Sequence, residues 1–105
     1  MKMSFNNPAY VTKGFQTEIP MVTQVFILSE INMLSTLDPS EVDYLQVFEL
    51  NRKIIAGQVF QEIIVKQEQP PKEHSICFQF DDAVTQRVYC IDAEEYHTYM
   101  LSSEY

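Results

Sequence analysis

The segment that most constrains the fold covers residues 20–34, because it has the spacing of a helix but almost no polar side. Thr17 is the predicted cap, and Pro20 suits the first turn because its missing N–H has no intrahelical partner there. Apolar residues at helical spacing form three neighbouring stripes. These are Met21, Val25 and Leu28, then Val22, Phe26, Met33 and Leu37, and finally Ile27, Ile31 and Leu34.

One small sheet covers only one side of such a helix, so the sequence predicts surplus apolar surface. The sequence favours the rest of the chain or a second copy of it as the cover of that surface, ahead of another protein. Methionines at such a place allow adaptable packing. The candidate interaction surface is the second stripe, made of Val22, Phe26, Met33 and Leu37.

Beyond the helix, the apolar pattern changes to a period of two, which is typical of strands. Residues 43–50 are partly apolar on both faces and predict a central strand. Residues 58–67 are expected to return antiparallel to it, in a register that the intervening residues leave open. Residues 9–13 predict an edge or first strand, which Gly14 closes.

Residues 75–81 and 86–92 flank four residues that predict a hairpin loop, with Asp81 opposite Gln86. This register places Cys77 directly opposite Cys90, which makes them a candidate thiol pair. Residues 93–105 predict a short helix capped by Asp92. The expected fold is a single α+β domain over residues 1–105. It has a mainly antiparallel sheet of four to five strands, one long helix on one face and a short C-terminal helix.

The charge balance limits the partners that the chain can bind. Of its 105 residues, 15 are acidic and 7 are basic, which gives a formal net charge of −8. This charge repels phosphate backbones and anionic lipid, so neither direct nucleic-acid binding nor membrane binding is expected. The sequence shows no secretory signal and no apolar stretch long enough to cross a bilayer. A cytoplasmic location with reduced thiols is therefore expected.

No motif for catalysis, cofactor binding or metal binding is recognisable, so the sequence favours a binding protein over an enzyme. His74 and His97 lack metal-ligand spacing and are predicted to lie on the surface. The acidic residues Asp81, Asp82, Asp92, Glu94 and Glu95 are attributed to a loop and a helix start. The preferred function is that of a protein-binding accessory module, with a second copy or another protein as partner. The alternative is a ligand-binding protein or enzyme with a pocket between helix and sheet, lined by Tyr10, Tyr44 and Tyr89.

Several short blocks of the sequence form a recognisable pattern. They are residues 10–14, 18–20 and 43–50, Gln67 and Glu68 followed by Pro70 and Pro71, Ile91 and Asp92 with Glu95 and Tyr96, and the final Glu104 and Tyr105. This pattern resembles the domain-of-unknown-function family numbered 960, from staphylococci, related Gram-positive bacteria and their phages. The resemblance spans almost the whole chain and implies a single-domain cytoplasmic protein of bacterial or phage origin, with no assigned activity and no catalytic residue to transfer. The family pattern has a tryptophan in the last strand, where this chain has Tyr89 and Cys90.

Overall fold

The computed structural model describes residues 5–105, which form two helices and six strands. The helices are α1 (Lys13–Glu18) and α2 (Met21–Leu34). The strands are β1 (Ala9–Val11), β2 (Leu45–Ile55), β3 (Gln58–Gln67), β4 (Lys72–Gln79), β5 (Gln86–Asp92) and β6 (His97–Leu101). Short 3-10 turns follow at Pro39–Glu41 and Ser102–Glu104.

The six strands form one sheet in the order β1-β6-β5-β2-β3-β4. Neighbouring strands are antiparallel except β1, which runs parallel to β6. The α+β class is confirmed, but the sheet is mixed and has more strands than the four to five expected. Helix α1 was not predicted. Thr12, not Thr17, caps a helix, because its hydroxyl accepts a hydrogen bond from the backbone N–H of Phe15.

Strand β2 occupies the centre of the sheet, as predicted, between β5 and β3. The register of β2 with β3 follows from a two-residue turn at Ala56 and Gly57, both of which have positive φ. Such turns match the right-handed twist of the flanking strands. Ile55 therefore lies opposite Gln58, and the pairing continues to Val47 opposite Lys66.

The predicted hairpin of residues 75–81 with 86–92 is wrong, because β4 and β5 lie on opposite sides of the β2–β3 pair. Their connection crosses the end of that pair, where the buried side chain of Gln61 holds it. Gln61 accepts a hydrogen bond from the Val84 N–H at 2.8 Å and donates one to the Val84 carbonyl at 3.0 Å. This long-range contact replaces the local pairing that the loop length suggested.

The predicted C-terminal helix is also wrong, since residues 97–101 form β6. The side chain of Asp92 accepts a hydrogen bond from the Glu94 N–H at 3.0 Å, and Glu94 has a φ of 77°. This turn reverses the chain instead of starting a helix. The residues of β6 are then buried alternately, with His97, Tyr99 and Leu101 facing the core.

Both helices contribute to one core on one face of the sheet. Helix α2 begins at Met21 and ends at Leu34, within one residue of the prediction, and buries Thr23, Ile27 and Ile31. Phe15 of α1 packs beside Tyr99 with ring centroids 5.6 Å apart. Within residues 5–105, no helix covers the opposite face of the sheet. The buried core consists of Phe5, Phe15, Ile19, Ile27, Ile31, Val42, Phe48, Leu50, Ile63, Val65, Val88, Cys90, Tyr99 and Leu101.

Candidate interaction surface

The side of α2 that points away from the sheet carries six exposed apolar residues, which we call the outer face of α2. Of the four residues predicted as an interaction surface, Val22, Met33 and Leu37 lie on this face. Phe26 is partly buried and packs against the core. The rest of the chain therefore covers only one side of the helix. The outer face consists of Met21, Val22, Val25, Leu28, Met33 and, just beyond the helix, Leu37.

The outer face carries no charged side chain. Glu30 is the one charged residue of α2, and its carboxylate contacts the His74 ring of β4 at 2.6 Å, on the sheet side of the helix. Acidic residues lie beyond both ends of α2 instead, at Glu18 before it and at Asp38 and Glu41 after it. Two exposed polar residues, Ser29 and Asn32, lie on the same side of the helix among the apolar ones. An uncharged, mostly apolar helix side with acidic ends is the arrangement of an interaction surface more than of a solvated helix face.

The predicted pairing of Cys77 with Cys90 does not form, since β2 and β3 separate the two strands that carry them. Cys77 is exposed and lies opposite Glu62, whereas Cys90 is buried and lies opposite Gln46 and Tyr99. Burial raises the pKa of the Cys90 thiol well above its usual value, and the nearby Asp92 carboxylate raises it further. Cys90 is therefore a core side chain without thiolate character at neutral pH.

His97, predicted to lie on the surface, is only 5% exposed and belongs to a buried polar network. Asn7 donates its amide hydrogens to Asp92 and to the Glu94 carbonyl, both at 2.9 Å, so its oxygen accepts from His97 Nδ1 at 2.6 Å. The other ring nitrogen then accepts from the Tyr99 hydroxyl at 3.3 Å. Desolvation lowers the pKa of His97, although the negative charge of Asp92 opposes this shift.

The network is therefore a closed structural unit, in which each ring nitrogen of His97 already has a partner. Burial also raises the pKa of the Tyr99 hydroxyl, which stays protonated. Neither group is free to act as a base or a nucleophile towards a ligand. The Phe5 N–H joins this network by donating a hydrogen bond to the Asp92 carboxylate at 2.9 Å. These two residues are 87 positions apart, so no local sequence spacing predicts the network.

Two open depressions lie near these elements. One, of about 430 Å³, lies between α2 and the β1–β6 side of the sheet, with His97 and Tyr99 among its lining residues. The other, of about 370 Å³, lies at the start of β2, and its lining includes Tyr44 and Tyr89. Tyr10 is 57% exposed and contacts Tyr96 edge-on. Of the three tyrosines predicted to line one pocket between helix and sheet, Tyr44 and Tyr89 thus share a depression, and Tyr10 lies elsewhere.

The acidic clusters singled out in the sequence are dispersed. Asp81 and Asp82 lie in the exposed β4–β5 connection, and Asp92 is buried while Glu94 and Glu95 are exposed. Within residues 5–105, no three His, Cys, Asp or Glu side chains are close enough to hold a metal ion. Over the same residues, neither helix has the length and apolar character needed to cross a membrane.

Glu104 has a structural role that the sequence analysis did not assign. Its carboxylate accepts hydrogen bonds from the Thr12 hydroxyl at 2.6 Å, the Leu101 N–H at 2.9 Å and the Gly14 N–H at 3.1 Å. These bonds lower the pKa of Glu104, with the Thr12 bond as the largest cause. A side chain at Gly14 would meet this carboxylate at 2.6 Å, which explains the glycine at this helical position.

Comparisons with known proteins agree on fold and family and give no activity. The crystal structure of a protein of unknown function from Enterococcus faecalis matches with a TM-score of 0.68 over 100% of this chain and 98% of that chain, at 19% identity. This similarity shows the fold. A search of curated proteins finds no match to the sequence. Residues 9–104 match the family described as staphylococcal protein of unknown function, DUF960. Since this match covers most of the chain, the protein belongs to the DUF960 family.

Proposed function

We propose that this protein is a protein-binding accessory module whose partner contacts the outer face of α2. The observation that carries the proposal is the exposure of that face. Met21 is 71% exposed, Val25 58% and Met33 64%, on a helix whose one charged side chain points elsewhere. Single exposed apolar residues are ordinary on protein surfaces, whereas several of them on one side of a helix, here with only Ser29 and Asn32 among them, favour an interaction site.

A specific interface of modest size is compatible with the outer face. Its six residues are each between 40% and 71% exposed. Each partner in a standard protein interface contributes about 800 Å², so an interface here includes the outer face and the polar residues around it.

Charge complementarity indicates the chemistry of the partner. The protein has a net charge of −8. Glu18 and Asp38 lie beyond the ends of α2, as does Glu41, whose carboxylate is paired with the Lys72 ammonium at 3.2 Å. A second copy would bring the same acidic residues close to this face, whereas a partner with an apolar centre and a basic rim would be attracted. The proposed partner is therefore a basic amphipathic surface of another protein.

A synthetic amphipathic helix with leucines on one face and lysines along both flanks is a suitable probe, titrated by fluorescence anisotropy. The Val25→Gln/Met33→Gln double variant is expected to weaken binding by about tenfold or more, because apolar contacts at the centre of an interface carry most of the binding energy. The matched control is Ile54→Gln/Ile55→Gln, which changes side chains that are 58% and 50% exposed outside α2. Neither double variant changes the charge.

Three results would overturn the proposal. The wild-type protein fails to bind the probe, or both double variants bind it equally well. In the third, the wild-type protein and the Ile54→Gln/Ile55→Gln control are dimers while the Val25→Gln/Met33→Gln variant is a monomer. A second copy would then occupy the outer face. Circular dichroism and urea unfolding establish that the variants are folded before binding is compared.

A further inference from the structure

Strand β4 forms one edge of the sheet, and within residues 5–105 no strand pairs with its outer side. The pairing with β3 determines which backbone groups point outward. The Phe80 N–H bonds the Val59 carbonyl at 2.9 Å, and Val59 is directly opposite Phe80 in the register that joins Phe60 to Gln79. In an antiparallel pair, hydrogen-bonded residues alternate with residues whose N–H and C=O point away. The outward groups of β4 therefore belong to Glu73, Ser75, Cys77 and Gln79.

These four residues are arranged symmetrically about Ile76. If a second β4 runs antiparallel along this edge with Ile76 facing Ile76, then Ser75 faces Cys77 and Glu73 faces Gln79. All outward N–H and C=O groups of the four residues then find partners in the other copy. Shifting either copy by two residues leaves some of these groups without one.

The side chains permit this register. Residues 75–79 contain no charge, although the chain as a whole carries −8, so the centre of the edge is a place where two copies can meet without repulsion. Glu73 meets the uncharged Gln79, and no two charged residues of like sign face each other. Natural edge strands are usually protected by charges or prolines, and here Lys72 and Glu73 guard only the first part of β4.

We propose that two copies of this protein associate through antiparallel pairing of their β4 edges, with the two-fold axis at Ile76. The sheet then continues across both copies. The two α2 helices lie on the same side of the joined sheet, because the axis is perpendicular to it. If the proposed function also holds, on which this last consequence rests, the dimer presents two outer faces and binds its partner bivalently.

Sedimentation velocity over a range of protein concentrations tests the pairing. The wild-type protein is expected to dimerise, and Ser75→Pro is expected to be monomeric because proline removes an outward N–H. The Ser75 N–H does not bond β3, so the fold is expected to survive, which urea unfolding checks. Ser75→Thr is the control and is expected to dimerise like the wild type. A wild-type protein that stays monomeric, or a Ser75→Pro protein that dimerises normally, would refute the pairing.

A pair of charge variants tests the register and does not depend on proline. Ser75→Glu/Cys77→Lys places opposite charges across the two-fold axis, whereas Ser75→Lys/Cys77→Lys places like charges there. Both positions are exposed, and Lys at position 77 would lie opposite Glu62 in both variants. We expect the first variant to dimerise about tenfold more tightly than the second. Equal dimerisation of the two variants would exclude this register.

The peptide titration distinguishes failure of this inference from failure of the proposed function. A monomeric wild-type protein that binds the amphipathic peptide through the outer face of α2 would refute the β4 pairing alone. A β4 dimer that does not bind the peptide would refute the proposed function alone.

Discussion

The buried carboxylate of Asp92 allows a stability prediction that can be worked out from its contacts. Asp92 is 2% exposed. One oxygen accepts a hydrogen bond from the Phe5 N–H at 2.9 Å, and the other accepts from Asn7 at 2.9 Å and from the Glu94 N–H at 3.0 Å. Asp92→Asn keeps the shape of the side chain but replaces one acceptor oxygen with an NH₂ donor. In one orientation the new NH₂ group faces the Phe5 N–H, and in the other it faces the Asn7 and Glu94 donors.

The expected cost follows from what the amide loses. If its nitrogen faces Phe5, one hydrogen bond to a charged acceptor disappears and the buried Phe5 N–H is left unpaired. A hydrogen bond to a charged group contributes about 1.5–3 kcal/mol, and an unpaired buried donor costs about 1–3 kcal/mol. These two contributions partly overlap, because both describe the loss of the same bond. The remaining bonds to Asn7 and Glu94 persist with a neutral acceptor. We therefore expect Asp92→Asn to lower the free energy of unfolding by about 2–4 kcal/mol.

Equilibrium unfolding in urea measures this cost, with Glu95→Gln as the matched control. Glu95 is exposed and lies in the same turn, so its substitution removes one negative charge without touching the network. The control is expected to change the free energy of unfolding by less than about 0.5 kcal/mol. Two results would refute this prediction. In one, Asp92→Asn lowers the free energy of unfolding no more than the control does. In the other, hydrogen exchange at the Phe5 amide is as slow in the variant as in the wild type.

Three further perturbations test other contacts. The lowered pKa of His97 means that the folded protein prefers the neutral ring. The contribution of the neutral His97 ring to stability is complete above about pH 6.5 and is lost as the pH falls through the folded-state pKa. The free energy of unfolding, measured at several pH values, should show this loss in the wild type but not in His97→Gln. Gly14→Ala should lower the free energy of unfolding, because the added Cβ would displace the Glu104 carboxylate. In a Glu104→Ala background the same substitution should instead stabilise the helix by about 0.5–1 kcal/mol, and an equal loss of stability in both backgrounds would contradict this account. The Thr23 hydroxyl is buried without a hydrogen-bond partner among residues 5–105, so Thr23→Val should raise the free energy of unfolding by about 1 kcal/mol, and a loss of stability in thermal or urea unfolding would disprove it.

The sequence allowed those parts of the fold to be predicted that depend on local pattern. The helical spacing of residues 20–34 located α2, and the period of two located β3 with its correct bounds. The surplus apolar surface on α2 was also predictable, since no sheet covers a helix on all sides. Phe26 was misplaced because the sequence does not show how the helix is rotated about its axis.

Contacts between distant residues could not be predicted. The loop between β4 and β5 has a length that suits a hairpin, and only the hydrogen bonds of Gln61 to Val84 reveal that it crosses the β2–β3 pair instead. The acidic residues 92–95 suit the start of a helix. Instead, the hydrogen bond that the Glu94 N–H donates to the Asp92 carboxylate makes a turn there. In both cases the local sequence is compatible with more than one structure, and the hydrogen bonds of one polar side chain determine which of them forms.

The parallel pairing of β1 with β6 has a consequence for the order of folding. It places Ala9 opposite His97, so this edge of the sheet forms only when the two ends of the sequence meet. The β2–β3 hairpin, joined by two residues, closes a far shorter loop. Because pairing between distant residues must first overcome the entropy of loop closure, we expect the central hairpin to form early and β1 to dock late. By the same reasoning, mechanical extension from the N-terminus should detach β1 first and leave the central strands folded.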